Sequence, residues 1–386
     1  MKALVIDAEW KPRKGYELTP FEKRTGRAVH TNNIYRNPVM EIKEVKDPSI
    51  KPDEVLLEVK ACGICGSDVH LLPEEVDEEG YTIYAGMTKF PVVLGHELSG
   101  EVVEVGKEVK ELKVGDRVTS EEMVWCGKCN SCRNGFPNHC LDIHEIGFTL
   151  NGAYAKYVTV PAKTCWKLDE IFERYSNDEL AYEIGATVEP TSVAYNGIFI
   201  RAEGFLPGST VAVYGTGPIG LACISLAKAA GAAKTVAFEV SEERRKLAKE
   251  MGADYVHNPK EVVPSKVVLE VTKGEGADFN IEAAGVPNQT IPEMERSLAV
   301  NGKILQIGRA PNRVPLDLEV LMVSRARLYG TLGHSGHKIF PSVIKMMGAG
   351  LLDNSKMITN RFPLEKAIEA IRKSSKKKDG KIIVKP

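Results

Sequence analysis

The sequence contains no apolar run approaching the roughly 18 residues that a membrane-crossing helix needs, so no membrane span is expected. It has no excess of either charge. Lys and Arg number 51 and Asp and Glu 52, a formal net charge of −1, which argues against a general binder of nucleic acid or another polyanion. The opening stretch, MKALVIDAEW, is too short an apolar run for a secretory signal, so a cytoplasmic protein is expected. Glutamine occurs only at Gln289 and Gln306, a scarcity that points to a hot environment; the many asparagines point the other way.

Against these absences stand eight cysteines, four of them in CGKCNSCRNGFPNHC: Cys126, Cys129, Cys132 and Cys140. In a reducing compartment clustered thiols mean metal rather than disulfides. Two-residue gaps let the thiolates converge on one tetrahedral Zn²⁺ and leave no open position, so this site is expected to be structural. A nucleic-acid-binding zinc ribbon would instead show two separated Cys-x-x-Cys pairs and a basic domain. Cys165 and Cys223 are expected to be packing residues.

Two textures divide the 386 residues, a length suited to two domains. Early segments such as 54–61 (EVLLEVKA) and 100–106 (GEVVEVG) alternate apolar and polar residues between turns, the pattern of a compact β-barrel-like unit. Residues 11–37 and 73–90 break that pattern and are expected to be surface excursions over an active-site mouth. From about residue 194, apolar strands alternate with helices, which predicts a doubly wound parallel sheet. The expected division is a catalytic domain over 1–193 and 334–386, with a zinc lobe at about 124–142, and a dinucleotide-binding domain over 194–333. The basic run SSKKKDG near the C-terminus is expected to be a solvated loop before a last strand, KIIV.

The second texture opens on TVAVYGTGPIG. Gly215, Gly217, Pro218, Ile219 and Gly220 follow a strand and begin a helix, the context in which a Gly-x-Gly-x-x-Gly turn accepts a pyrophosphate. Glu239 ends the next strand, where a carboxylate accepts both ribose hydroxyls and repels a 2′-phosphate; NAD is therefore expected over NADP. Arg244 is a candidate for stacking on the adenine.

A closed metal site predicts an open one. Its candidate ligands are Cys65, His96 and Glu97, with Glu97 itself or Glu189 as the third. Together these motifs resemble the zinc-dependent medium-chain dehydrogenases, and the polyol and threonine dehydrogenase branch in particular. GICGSD at 63–68, GHELSG at 95–100, the cysteine cluster, GTGPIG and RFPLEKAIEAI at 361–371 carry the resemblance over nearly the whole chain. Glu189 stands where the family's alcohol dehydrogenases have cysteine, which resembles the polyol branch. The resemblance implies a GroES-like β-barrel catalytic domain, a Rossmann domain, two Zn²⁺ per chain, NAD, a polyol or cyclitol substrate and a homodimer or homotetramer. It also implies that Ser67 and His70 form a proton relay and that Glu189 takes part in catalysis. Rival readings are an L-threonine 3-dehydrogenase and a non-catalytic dinucleotide sensor.

Overall fold

The computed structural model describes residues 1–310 and 313–386. The chain forms two units. The first comprises Met1–Glu189, Asn360–Lys376 and Lys381–Pro386; the second comprises Pro190–Thr359 and Lys377–Gly380. The chain stays in the second unit to Thr359, where the short helix Asn354–Met357 packs on the helices Pro218–Ala229 and Glu242–Glu250.

In the first unit the strand Glu54–Gly63 is central. Its side chains alternate, and Val55, Leu57, Val59 and Ala61 are buried. It pairs antiparallel with Glu97–Val105, Tyr157–Pro161 and Lys381–Lys385, so the last strand of the chain sits beside one of the first. One apolar cluster, including Leu57, Leu98, Val102, Phe148, Tyr154 and Ile371, fills the interior.

The second unit carries six parallel strands. From one edge they are Tyr255–His257, Lys234–Phe238, Thr210–Tyr214, Ala277–Glu282, Leu298–Gln306 and Arg327–Gly330. Numbered by sequence, this is the order 3-2-1-4-5-6 of a dinucleotide-binding fold, whose order reverses at the first strand. Pro264 begins the helix Pro264–Val271 rather than breaking one; at the first helical position its missing N–H has no partner to lose.

The two excursions of the first unit are ordered against each other. Bridges join Ala28 to Thr88 and Arg36 to Tyr81, and Arg13 pairs with Asp77 while lying 4.0 Å from the centre of the Tyr81 ring. Glu22 organises residues 16–29. Its carboxylate accepts the N–H groups of Thr19 and Val29 at 2.8 Å each, the Thr19 hydroxyl at 2.9 Å and the Tyr16 hydroxyl at 3.1 Å. Nearby, Arg27 donates to the Ile143 carbonyl at 2.6 Å and pairs with Asp142.

Burial alone would raise the Glu22 carboxyl, but the N–H groups of Thr19 and Val29 and the two hydroxyls outweigh it and hold it below the ordinary glutamate value. A lowered carboxyl stabilises the fold above its unfolded value and loses that contribution as pH falls through the folded one. Glu22→Gln should therefore lose about 1.5–3 kcal/mol at neutral pH. The gap to the native chain should close in acid, as followed by urea unfolding at several pH values; a gap independent of pH would contradict this role.

Candidate active site

Register assembles the first cluster. Gly63 faces Glu97 on one side and Ile383 on the other, so the loop after Gly63, the His96–Glu97 pair and Lys381 meet at one end of the sheet. A Cβ on Gly63 would stand 2.1 Å from a Glu97 carboxylate oxygen, which explains glycine there. Cys65 caps the short helix Gly66–Val69. The Asp68 carboxylate accepts the Cys65 N–H and the Tyr154 hydroxyl, each at 2.9 Å, and fixes the loop.

Donor atoms of Cys65, His96 and Glu97 lie within 4.8 Å of one another. Glu189 is not part of this group; one of its carboxylate oxygens instead lies within 4.8 Å of one from Glu122. Its charge still reaches Glu97 and Lys381. Glu97 does not stand alone. The Lys381 ammonium grips both its oxygens and donates to the Ile64 carbonyl at 2.8 Å, and both side chains are only 1% exposed. Burial would lower the Lys381 pKa, but Glu97, Cys65 and Glu189 outweigh burial and raise it.

His96 is buried, and its Nδ1 has no hydrogen-bond partner, standing 3.9 Å from an Asp68 oxygen that also has none. Burial would lower this imidazole, yet Glu122, Cys65 and Asp68 together push it well above the ordinary histidine value. The surroundings are thus strongly negative, and a thiolate, an imidazole and a carboxylate converge there. Such a donor set fits Zn²⁺. Ser67 has a buried hydroxyl with no hydrogen-bond partner. His70 ends the same helix one turn later, half-exposed, and its carbonyl accepts the Thr82 hydroxyl at 3.0 Å.

The four clustered cysteines place their sulfurs within 4.8 Å of one another, with Cys129 and Cys140 3.9 Å apart. That is too long for a disulfide and close to the edge, about 3.8 Å, of a tetrahedron with Zn–S bonds of about 2.3 Å. Backbone N–H groups of Cys126, Cys129, Leu141 and Asp142 point at sulfurs at 3.3–3.5 Å. The N–H groups of Cys132 and Leu141 pull the Cys129 thiol down to about 6, whereas burial pushes Cys132 up to about 12. The four cannot all ionise unless a cation shares them, so the cluster fits a metal as well.

In the second unit, Gly215 adopts φ +89 and a Cβ there would meet Ala284 at 2.6 Å. Gly220 lies against the Gly215 carbonyl, and Gly217 caps the helix Pro218–Ala229, in whose first turn Pro218 and Ile219 sit. Glu239 follows directly on its strand, accepting the Thr216 and Ser241 N–H groups at 2.9 Å each. Oε1 keeps a lone pair for a ribose hydroxyl, whereas Oε2 also accepts the Thr216 hydroxyl at 3.4 Å. Gly215, Gly217, Glu239 and Arg244 line one cavity of about 540 Å³.

Several contributors escaped the sequence. Lys381 sat in an ordinary strand and Asp68 in an ordinary turn. Glu282 is fully buried at a strand end and accepts the N–H groups of Ala284, Gly285 and Val286, shaping another wall of the cavity. No spacing rule marks any of them.

Two family signatures match the chain: the alcohol dehydrogenase GroES-like domain at residues 51–170 and the zinc-binding dehydrogenase domain at 218–349. The chain belongs to the zinc-binding medium-chain dehydrogenases and is an oxidoreductase of that class. It is 44% identical to scyllo-inosose 3-dehydrogenase of Thermotoga maritima, over 97% of this chain and 96% of that one. It is 33% identical to L-threonine 3-dehydrogenase of Thermococcus kodakarensis, over 90% and 94%. A solved Thermotoga maritima structure, provisionally described as an alcohol dehydrogenase, superposes with a TM-score of 0.95 at 42% identity and covers both chains completely. Similar structures hold dinucleotides: a zinc-binding dehydrogenase of Sinorhizobium meliloti with NADP (27% identity, complete coverage of both chains, TM-score 0.78) and an Escherichia coli protein with NADH (26%, 100% and 99%, 0.80). No described helix is long and apolar enough to cross a membrane.

Lys381→Met should leave the Glu97 carboxylate buried and unpaired, a loss of about 3–5 kcal/mol by denaturant titration. Adding Glu97→Gln should restore much of it; two independent, additive losses would show that the pair is not coupled. Cys129→Ser should lower the melting temperature before the other metal position is lost, as metal analysis and calorimetry would report together. Undiminished heat resistance would count against a structural cluster.

Proposed function

We propose that this protein oxidises a secondary alcohol of a polyol or cyclitol, in the class of scyllo-inosose, to the ketone, with NAD as hydride acceptor. The observation that carries this reading is the convergence of Cys65, His96 and Glu97 in a pocket that needs a cation. Similarity along the full chain to a cyclitol dehydrogenase supports the substrate class. Cys65, His96 and Glu97 would hold one zinc, and Cys126, Cys129, Cys132 and Cys140 the other.

Zinc at the first site supplies the Lewis acidity that lowers the pKa of a substrate hydroxyl, and the nicotinamide accepts hydride from its carbon. The chain's own residues do the rest. Ser67, whose buried hydroxyl has no hydrogen-bond partner in the fold, takes the proton from the substrate oxygen, and half-exposed His70 passes it to water. Asp68 holds the Cys65 loop in place. Glu122 and Glu189 offer carboxylate oxygens to further hydroxyls of a polyol. Glu239 selects NAD by accepting both ribose hydroxyls and repelling a 2′-phosphate.

The protein works as a homo-oligomer in the cytoplasm, a dimer or a tetramer. An unpaired edge strand, Arg327–Gly330, supports this. Around it Leu318, Met322 and Val323 are each more than 70% exposed, as is Val300. Such an apolar face on a soluble chain marks a contact with another copy.

A panel of inositols, inososes, sorbitol and L-threonine, each with NAD and NADP and followed at the NADH absorbance, tests the reading. Cyclitols with NAD should turn over fastest, and metal analysis should find two zinc ions per chain. Fastest turnover of threonine would replace the substrate assignment; one zinc or none, with no turnover, would favour a silent dinucleotide sensor. His70→Ala should slow oxidation by about 10²–10⁴ below neutral pH. An unchanged pH–rate profile would remove His70 from the relay.

A further inference from the structure

Residues 377–380 belong to the dinucleotide unit, although the chain on either side of them belongs to the other. The lysines of the run KKKDG are exposed, as its composition implies, but Asp379 and Gly380 are buried. Three contacts anchor it. The Arg244 Nε donates to the Asp379 carbonyl at 2.8 Å, the Thr359 hydroxyl donates to the Asp379 carboxylate at 3.0 Å, and Lys378 pairs with Glu243 at 3.1 Å. A Cβ on Gly380 would stand 2.4 Å from the Met357 carbonyl, so the loop lies tight against its own unit.

The anchoring has two results. It turns the Arg244 guanidinium towards the glycine turn, where Nη1 is 3.6 Å from the position a Gly217 Cβ would occupy. That is the start of the helix Pro218–Ala229, whose free N–H groups suit an anion. It also sets Lys377 in the wall of the same cavity as Gly215, Gly217, Glu239 and Arg244. Lys377 holds a left-handed backbone, φ +54, which costs a lysine about 1–2 kcal/mol. Among the described residues no carboxylate pairs with its ammonium, whereas neighbouring Lys378 has one.

We propose that Lys377 is a phosphate ligand of the bound dinucleotide, completing with Arg244 a cationic clamp on the pyrophosphate. A dinucleotide pyrophosphate carries two negative charges. The helix start contributes about half a positive charge and Arg244 one, which leaves the group about half a charge short, a deficit that a second cation covers. The clamp rests on the dinucleotide reading of the cavity.

Lys377→Gly tests it, because glycine suits the left-handed backbone and keeps the loop's shape while removing the ammonium. Titrations of the zinc-loaded protein should show NADH and ADP bound about 3–10-fold more weakly than by the native chain, with adenosine unaffected. Lys377→Arg should restore binding, and Lys376→Gly should change nothing. Unchanged affinity for ADP in Lys377→Gly would overturn the clamp, as would a loss confined to 2′,5′-ADP, since the cation would then serve a 2′-phosphate. If the native protein bound neither NADH nor ADP, the dinucleotide reading itself would fail, which is a different result.

Discussion

The Lys381–Glu97 pair is the interaction on which the first unit's chemistry rests. Two opposite charges, each 1% exposed, are held by the last strand and by one of the early strands. Burying such a pair is expensive unless its remaining donors and acceptors are used, and here the Ile64 carbonyl takes a further ammonium proton. The geometry is specific because strand register fixes it. A slip of one residue would turn Lys381 to the opposite face of the sheet and leave Glu97 an unpaired buried anion. One lysine is nevertheless too little charge for the pocket. Cys65, Asp68, Glu122 and Glu189 all bear on His96, Lys381 or Glu97. A divalent cation held by Cys65, His96 and Glu97 would supply the missing balance. Lys381 at the same time opposes the effect of burial and favours the ionised form of Glu97.

Buried carboxylates organise the second unit in the same manner. Glu239 gathers the N–H groups of Thr216 and Ser241, and Glu282 those of Ala284, Gly285 and Val286. Each sits at or just beyond the C-terminal end of a parallel strand, where the loops of such sheets form their ligand site. The glycine turn is thus held between two carboxylates that fix the backbone on either side. Glu239 is held in place by the Thr216 and Ser241 N–H groups, so its carboxylate is preorganised. A 2′-phosphate would have to approach a carboxylate that cannot move away.

How much was legible follows from which physics is local. Glycine spacing, cysteine spacing and strand alternation are set by neighbours in sequence, and they marked the parallel sheet, the cluster and the turn at Gly215. The grouping of Cys65 with His96 and Glu97 depends on strand pairing, which no spacing expresses; family resemblance supplied it. Lys381 was invisible because a lysine at the start of a strand is nearly always solvated. Amphipathic helices near a C-terminus announce that they pack, not on what. The excursions at 11–37 and 73–90 broke the strand pattern because their order comes from single polar side chains: Glu22, with partners at Tyr16, Thr19 and Val29, and Arg13, whose partner Asp77 lies far off in sequence.

The basic loop shows why composition misleads at short range. Lys376, Lys377 and Lys378 are chemically identical, consecutive and all exposed, yet Lys378 pairs with Glu243 and Lys377 lines the cavity. What separates them is backbone, set by the Asp379 carbonyl on Arg244 and the tight approach at Gly380. The next residue is Lys381, already committed to Glu97. Within five residues the chain therefore leaves the dinucleotide cavity and enters the buried ion pair of the other unit, with glycine at the crossing. A segment tied so closely at both ends has no slack to absorb an insertion: one extra residue would displace either Lys377 from the cavity wall or the lysine that holds Glu97. Ordinary surface loops tolerate such insertions, and this one, by the contacts at its two ends, does not.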